Sequence, residues 1–132
     1  MFLDTTACID LLREARAGGG PATALLERWR DCPLYLSVFV VCELQAGALL
    51  SAVPQREQRS IEQFIGLMKI VYPNADFAIA YAEAEVALRQ KGTPIPVMDL
   101  LIGVAAKLRG VPLLTRNARH FSLISGLVVE SY

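Results

Sequence analysis

Five short apolar runs, separated by longer stretches of helical pattern, restrict what this chain of 132 residues can become. They are Phe2-Leu3-Asp4, Leu34-Tyr35-Leu36, Lys69-Ile70-Val71-Tyr72, Pro112-Leu113-Leu114-Thr115 and Leu127-Val128-Val129-Glu130. Each run suits a strand and is too short for a stable helix. Strands that alternate with helices predict an α/β domain built on a mostly parallel sheet. Thr5 or Thr6 can cap a helix over about residues 7–17, which the Gly18-Gly19-Gly20 turn breaks. Pro21 suits the start of a second helix reaching Trp29, and Ser37 can cap a third reaching Leu50. Further helical patterns cover Gln55 to Met68, Asp76 to Lys91, and Met98 to Arg109, the last closed by Gly110. The length predicts one domain over residues 1–132.

Asp4, Glu43 and Asp99 each interrupt an apolar run where a core side chain is expected. An unpaired carboxylate is costly to bury, and three of them together repel, so a divalent cation is the simplest remedy. Parallel sheets gather ligands at the carboxyl ends of their strands. Asp4 ends the first strand, Glu43 lies in the helix after the second, and Asn117 follows the fourth. Asp99 opens the helix before that fourth strand, so all four residues can reach one edge of the sheet. Residues three and four apart share a helix face. Glu43 thus aligns with Phe39, Ala46, Gly47 and Leu50, and Asp99 with Ile102, Gly103 and Ala106, two stripes expected to face inward. Taken singly, each acid also reads as an ordinary charge or cap at a helix start.

Composition removes several functions. Hydrophobic residues make up 54% and mean hydropathy is +0.40, yet no apolar run reaches the roughly 18–20 residues of a membrane span. The excess predicts a self-association face or a groove for a partner. A formal charge of zero and a pI near 6.6 exclude nucleic-acid binding through bulk positive charge. Any such binding must be local, and Arg116, Arg119 and His120 form one local cluster. Three cysteines without paired spacing predict free thiols in the cytoplasm, and a single histidine excludes a His-rich zinc site. The N-terminus has no basic segment or cleavage site of a signal peptide. No phosphate-binding loop, nucleophile elbow or dinucleotide fingerprint is present.

The segments carrying these acids resemble, in order, the motifs of PIN-domain proteins, particularly the VapC type of bacterial toxin. They are Met1-Phe2-Leu3-Asp4-Thr5-Thr6, Ser37-Val38-Phe39-Val40-Val41-Cys42-Glu43-Leu44-Gln45-Ala46-Gly47, and Gly92-Thr93-Pro94-Ile95-Pro96-Val97-Met98-Asp99-Leu100-Leu101-Ile102-Gly103. The fourth is Leu114-Thr115-Arg116-Asn117-Ala118-Arg119-His120-Phe121, followed by Gly126-Leu127-Val128-Val129-Glu130. The resemblance implies a PIN-like three-layer sandwich: a five-stranded, mostly parallel sheet flanked by helices.

It also implies a Mg²⁺- or Mn²⁺-dependent endoribonuclease, blocked by a small VapB-like antitoxin protein and commonly a homodimer. Carried over by position, Asp4, Glu43 and Asp99 are the metal ligands, and Asn117 takes the fourth catalytic place. Carboxylate and amide oxygens suit these cations. Glu43 or Asp99 is expected to take the proton of the attacking water. Arg116 and Arg119 are expected to contact RNA phosphates, with Thr6 and Thr115 as hydroxyl support at the substrate site. His120 reads as a surface histidine. The chain departs from the family pattern at Thr6, where Asn or Ser is commoner, at the uncharged Asn117, and at Gly103, where Ala is usual and Gly permits closer packing. An RNA-processing nuclease without an antitoxin, and a non-catalytic RNA- or protein-binding module, are the competing readings.

Overall fold

A computed structural model describes residues 1–132. The elements run β1 (Phe2–Leu3), α1 (Thr5–Ala17), α2 (Pro21–Glu27), β2 (Tyr35–Ser37), α3 (Val38–Leu49) and α4 (Pro54–Ile65). They continue with β3 (Lys69–Val71), α5 (Phe77–Gln90), α6 (Val97–Arg109), β4 (Leu113–Thr115), α7 (Ala118–Phe121) and β5 (Val129–Ser131). The strands form one five-stranded sheet in the order β3-β2-β1-β4-β5, and every pair is parallel. This is the flanked α/β sheet that the alternating runs predict.

Burial explains why the strands read as continuous apolar runs instead of alternating ones. Strands covered on both faces must be apolar on both. Phe2, Leu3, Leu36, Leu113 and Leu114 are all fully buried, and with Phe121 and Ile102 they anchor the core. The edge strands β3 and β5 are partly exposed, so they tolerate Lys69, Glu130 and Ser131. The chain winds outward from β1 to β2 and β3, then returns to place β4 on the other side of β1. That reversal opens a crevice at the carboxyl ends of β1 and β4, the position where such sheets bind ligands.

Local details correct three expectations. The cap of α1 is Asp4 itself, whose side chain accepts from the Ala7 amide, while Thr5 and Thr6 fall inside the first turn. The buried stripe of α3 is Val40, Leu44 and Ala48, so Glu43 is only half-buried, and Ala46, Gly47 and Leu50 face outward. The bulkier aliphatic side chains took the core, rotating the acid to the rim of the helix. The four-residue α7 was not expected. Ser37 does cap α3, accepting from the Val40 amide at 3.2 Å, and Gly110 closes α6 in a left-handed conformation with φ 71°.

Close packing of α6 depends on Gly103. A Cβ there would sit 2.3 Å from Ile124 Cδ1 and 3.3 Å from Phe121 Cδ1. Ile102, Gly103 and Ala106 are buried, as the stripe below Asp99 predicts.

Candidate active site

Asp4 sits at the crevice, its backbone N–H bonded to Leu114 O of β4 at 3.2 Å. The residue is 3% exposed, and three donors hold its side chain, one of them shared between both oxygens. Oδ1 accepts from the Ala7 amide at 2.7 Å, Oδ2 accepts from Thr115 Oγ1 at 2.6 Å, and Thr6 Oγ1 lies 2.9 Å from both oxygens. All these donors are neutral. Burial pushes the Asp4 carboxyl above its ordinary range; bonds from Thr115, Ala7 and Thr6 pull it back, and the charge of Asp99 adds to the rise. That repulsion places Asp99 within electrostatic reach of Asp4.

Asp99 stands in the first turn of α6, where negative charge is favoured, and makes no capping bond. Its Oδ2 lies 2.6 Å from His120 Nδ1 and 3.4 Å from the side-chain nitrogen of Asn117. At this distance one proton lies between Asp99 Oδ2 and His120 Nδ1. Asn117 also lies 3.1 Å from His120 Nδ1, and its backbone N–H donates to Thr115 Oγ1 at 2.8 Å. The histidine read as a surface residue is therefore part of the site, delivered by α7. Glu43 approaches from α3 and is held at its Oε2 by the Thr5 hydroxyl.

Every carboxylate is thus occupied by a neighbour, and no three acidic, histidine or cysteine side chains are drawn together in the arrangement of a metal centre. Asp4, Asp99 and Asn117 meet through Thr115 and His120; Glu43 stands apart with Thr5. None of the three acids is paired with Lys or Arg. An all-oxygen donor set with a desolvated, cation-free carboxylate at its centre fits a hard divalent ion.

Arg116 borders this site. Its N–H donates to Thr6 Oγ1 at 3.3 Å, and its guanidinium turns to Asp10 of α1, with Nη1 3.2 Å from Oδ2. Arg119 is exposed on α7 and makes no ion pair. Sequence reasoning missed Asp10 and Tyr132, whose hydroxyl donates to Asp10 Oδ2 at 3.0 Å. One signal was available: Asp10 shares a helix face with the buried Ala7 and Leu11. Cys8, Cys32 and Cys42 are free thiols, and no helix is long and apolar enough to cross a membrane.

Comparison with known proteins bears on the family and the fold. The model of the PIN domain family matches residues 1–127. The tRNA(fMet)-specific endonuclease VapC of Salmonella typhimurium is 31% identical over 133 residues, spanning 99% of this chain and 96% of that protein. Ribonuclease VapC2 of Rickettsia felis is 31% identical over 131 residues, with the same 99% and 96% coverage. Among solved structures, VapBC2 from Rickettsia felis, bound to a DNA fragment from their promoter, aligns with a TM-score of 0.87 at 27% identity. DNA-bound VapBC from Salmonella typhimurium aligns at 0.86 and 29% identity; both alignments cover 98% of this chain and 96% of the other. With its crevice, its ordered acids and this match along nearly its whole length, the chain belongs to the PIN-domain family.

Proposed function

We propose that this chain, one domain over residues 1–132, is a Mg²⁺- or Mn²⁺-dependent endoribonuclease and the toxin of a toxin–antitoxin pair, hydrolysing RNA phosphodiester bonds in the cytoplasm. The observation that carries the reading is Asp4, a carboxylate buried to 3% exposure against neutral donors only, with the charge of Asp99 bearing on it. Uptake of a cation, like protonation of Asp4, relieves the cost of that burial. Asp4, Asp99 and Glu43 are the residues that would hold the ion, beside the amide of Asn117. When bound it supplies positive charge to the reacting phosphoryl group and acidifies a water.

The protein's own groups do the positioning. Thr6 and Thr115 fix both oxygens of Asp4, and His120 fixes Asp99. Glu43, half-buried and held by the neutral Thr5, accepts the proton of the attacking water. Arg116 and Arg119 contact phosphates of the bound RNA.

A small VapB-like antitoxin and a second copy of the chain are the proposed protein partners. The solved relatives named VapBC support the first, and exposed Leu49, Leu50, Val53 and Leu67 supply apolar surface for contacts. Relatives from Salmonella typhimurium and Shigella flexneri are named for tRNA(fMet) cleavage, so that tRNA is the first substrate to try. The test incubates the purified chain with tRNA(fMet) in Mg²⁺ or Mn²⁺. Cleavage that a chelator and Asp99→Asn both abolish is expected. No divalent-dependent cleavage of tRNA(fMet) or of total cellular RNA would overturn the reading.

A further inference from the structure

Asp10 is the other carboxylate that the fold buries, at 8% exposure, and the proposed metal site does not use it. Three groups converge on it. Arg116 Nη1 lies 3.2 Å from Oδ2 and 3.4 Å from Oδ1, the Tyr132 hydroxyl donates to Oδ2 at 3.0 Å, and Arg13 Nη1 is 3.9 Å from Oδ1. Arg116 meanwhile begins inside the active site. Its backbone N–H binds Thr6, and the residue before it, Thr115, binds Asp4. Its side chain is 57% exposed, and Thr6 and Thr115 tie its backbone to Asp4, a carboxylate that no Lys or Arg neutralises.

A free guanidinium there has a strong competing option. Arg–carboxylate pairs are charge-assisted and often two-pronged, so the unpaired acids of the site would attract it. A guanidinium resting on those oxygens would occupy the ligands that a divalent ion needs. We propose that Asp10, braced by Tyr132, withholds Arg116 from the acidic site and so keeps a guanidinium off the carboxylates that a divalent cation would use. This rests on the metal-site reading above. Asp10 and Tyr132 are positioning residues: they act on the site through where they hold Arg116.

The alternative is a plain field effect, in which removing one negative charge weakens cation binding whatever Arg116 does. Asp10 lies six residues beyond Asp4, a rise of roughly 9 Å along the helix. Both carboxylates are buried, so salt screens them little, and the direct effect acts with or without Arg116. The two explanations separate in a cycle. Mn²⁺ is titrated calorimetrically into wild type, Asp10→Asn, Arg116→Ala, the double variant and Tyr132→Phe. Asp10→Asn is expected to lower Mn²⁺ affinity about tenfold, as loss of groups that orient metal ligands does. Tyr132→Phe, which changes no charge, moves it the same way by less. In the Arg116→Ala background, where only the direct field of Asp10 remains, Asp10→Asn lowers affinity by clearly less than in the Arg116-containing chain.

Equal losses in both backgrounds, or no loss in either, overturn the proposal. Absence of Mn²⁺ binding by the wild type overturns the metal-site reading itself, and with it this inference, before any variant is compared. Should Asp10→Asn fail to fold, Tyr132→Phe with and without Arg116→Ala completes the same cycle: an affinity loss confined to the Arg116-containing chain supports the proposal, and any other pattern overturns it.

Discussion

Replacing Thr115 by Val removes one hydroxyl from the centre of the site and keeps the shape of the side chain. Thr115 is fully buried, and its Oγ1 works in both directions, donating to Asp4 Oδ2 at 2.6 Å and accepting from the Asn117 N–H at 2.8 Å. A hydrogen bond to a charged acceptor contributes about 1.5–3 kcal/mol, and a stranded buried donor costs about 1–3 kcal/mol. Asn117 is only half-buried, so water can reach its amide and the second figure takes its lower end. The sum is a loss of about 2.5–4 kcal/mol at pH 7.5. Urea unfolding of the metal-free chain measures it. Thr115→Ser, which keeps the hydroxyl and removes one methyl, loses only about 1 kcal/mol. If Thr115→Val lies within about 0.5 kcal/mol of wild type, as an ordinary surface change would, the hydroxyl does not hold Asp4 in solution and the reasoning fails.

Two further outcomes follow from the same contacts. Burial raises the Asp4 pKa in the folded chain, so the stability its neutral form contributes is fully present below the unfolded value of ~3.9 and is lost as pH rises through the folded value. Asp4→Asn should therefore melt higher than wild type at pH 7.5 in chelator, with the difference shrinking toward pH 3; a variant less stable than wild type at neutral pH would contradict this sign. Gly103→Ala should destabilise by about 1–2 kcal/mol, because overpacking against Ile124 and Phe121 outweighs the helix preference for Ala of up to ~1 kcal/mol. Equal or greater stability in urea would show that Ile124 moves aside freely.

The sheet and the order of the acids were legible because both depend on local pattern. Continuous apolar runs marked strands buried on two faces, and the topology alone sent Asp4, Asp99 and Asn117 to one edge. What escaped depends on pairs far apart in the chain. Arg116 and Tyr132 reach Asp10 across 106 and 122 residues, a separation that no periodicity encodes. His120 escaped because α7 is a single turn, too short to leave a pattern. For Glu43 the helix was right and the face was wrong. Val40 and Leu44 competed for the core in a helix that is apolar nearly all round, and the sequence period could not say which stripe would win. The hydroxyls of Thr5 and Thr6 could be read as caps as readily as second partners of the acids; only the folded positions of Glu43 and Asp4 decide between those roles.

The central claim is that the acids of this crevice form a divalent-cation site. Calorimetric titration of Mn²⁺ into the purified, partner-free chain and into Asp99→Asn tests it without needing the correct RNA. The account predicts saturable binding by the wild type that the substitution abolishes. Indistinguishable titrations for the two proteins would contradict it, leaving a PIN fold whose acids serve structure alone.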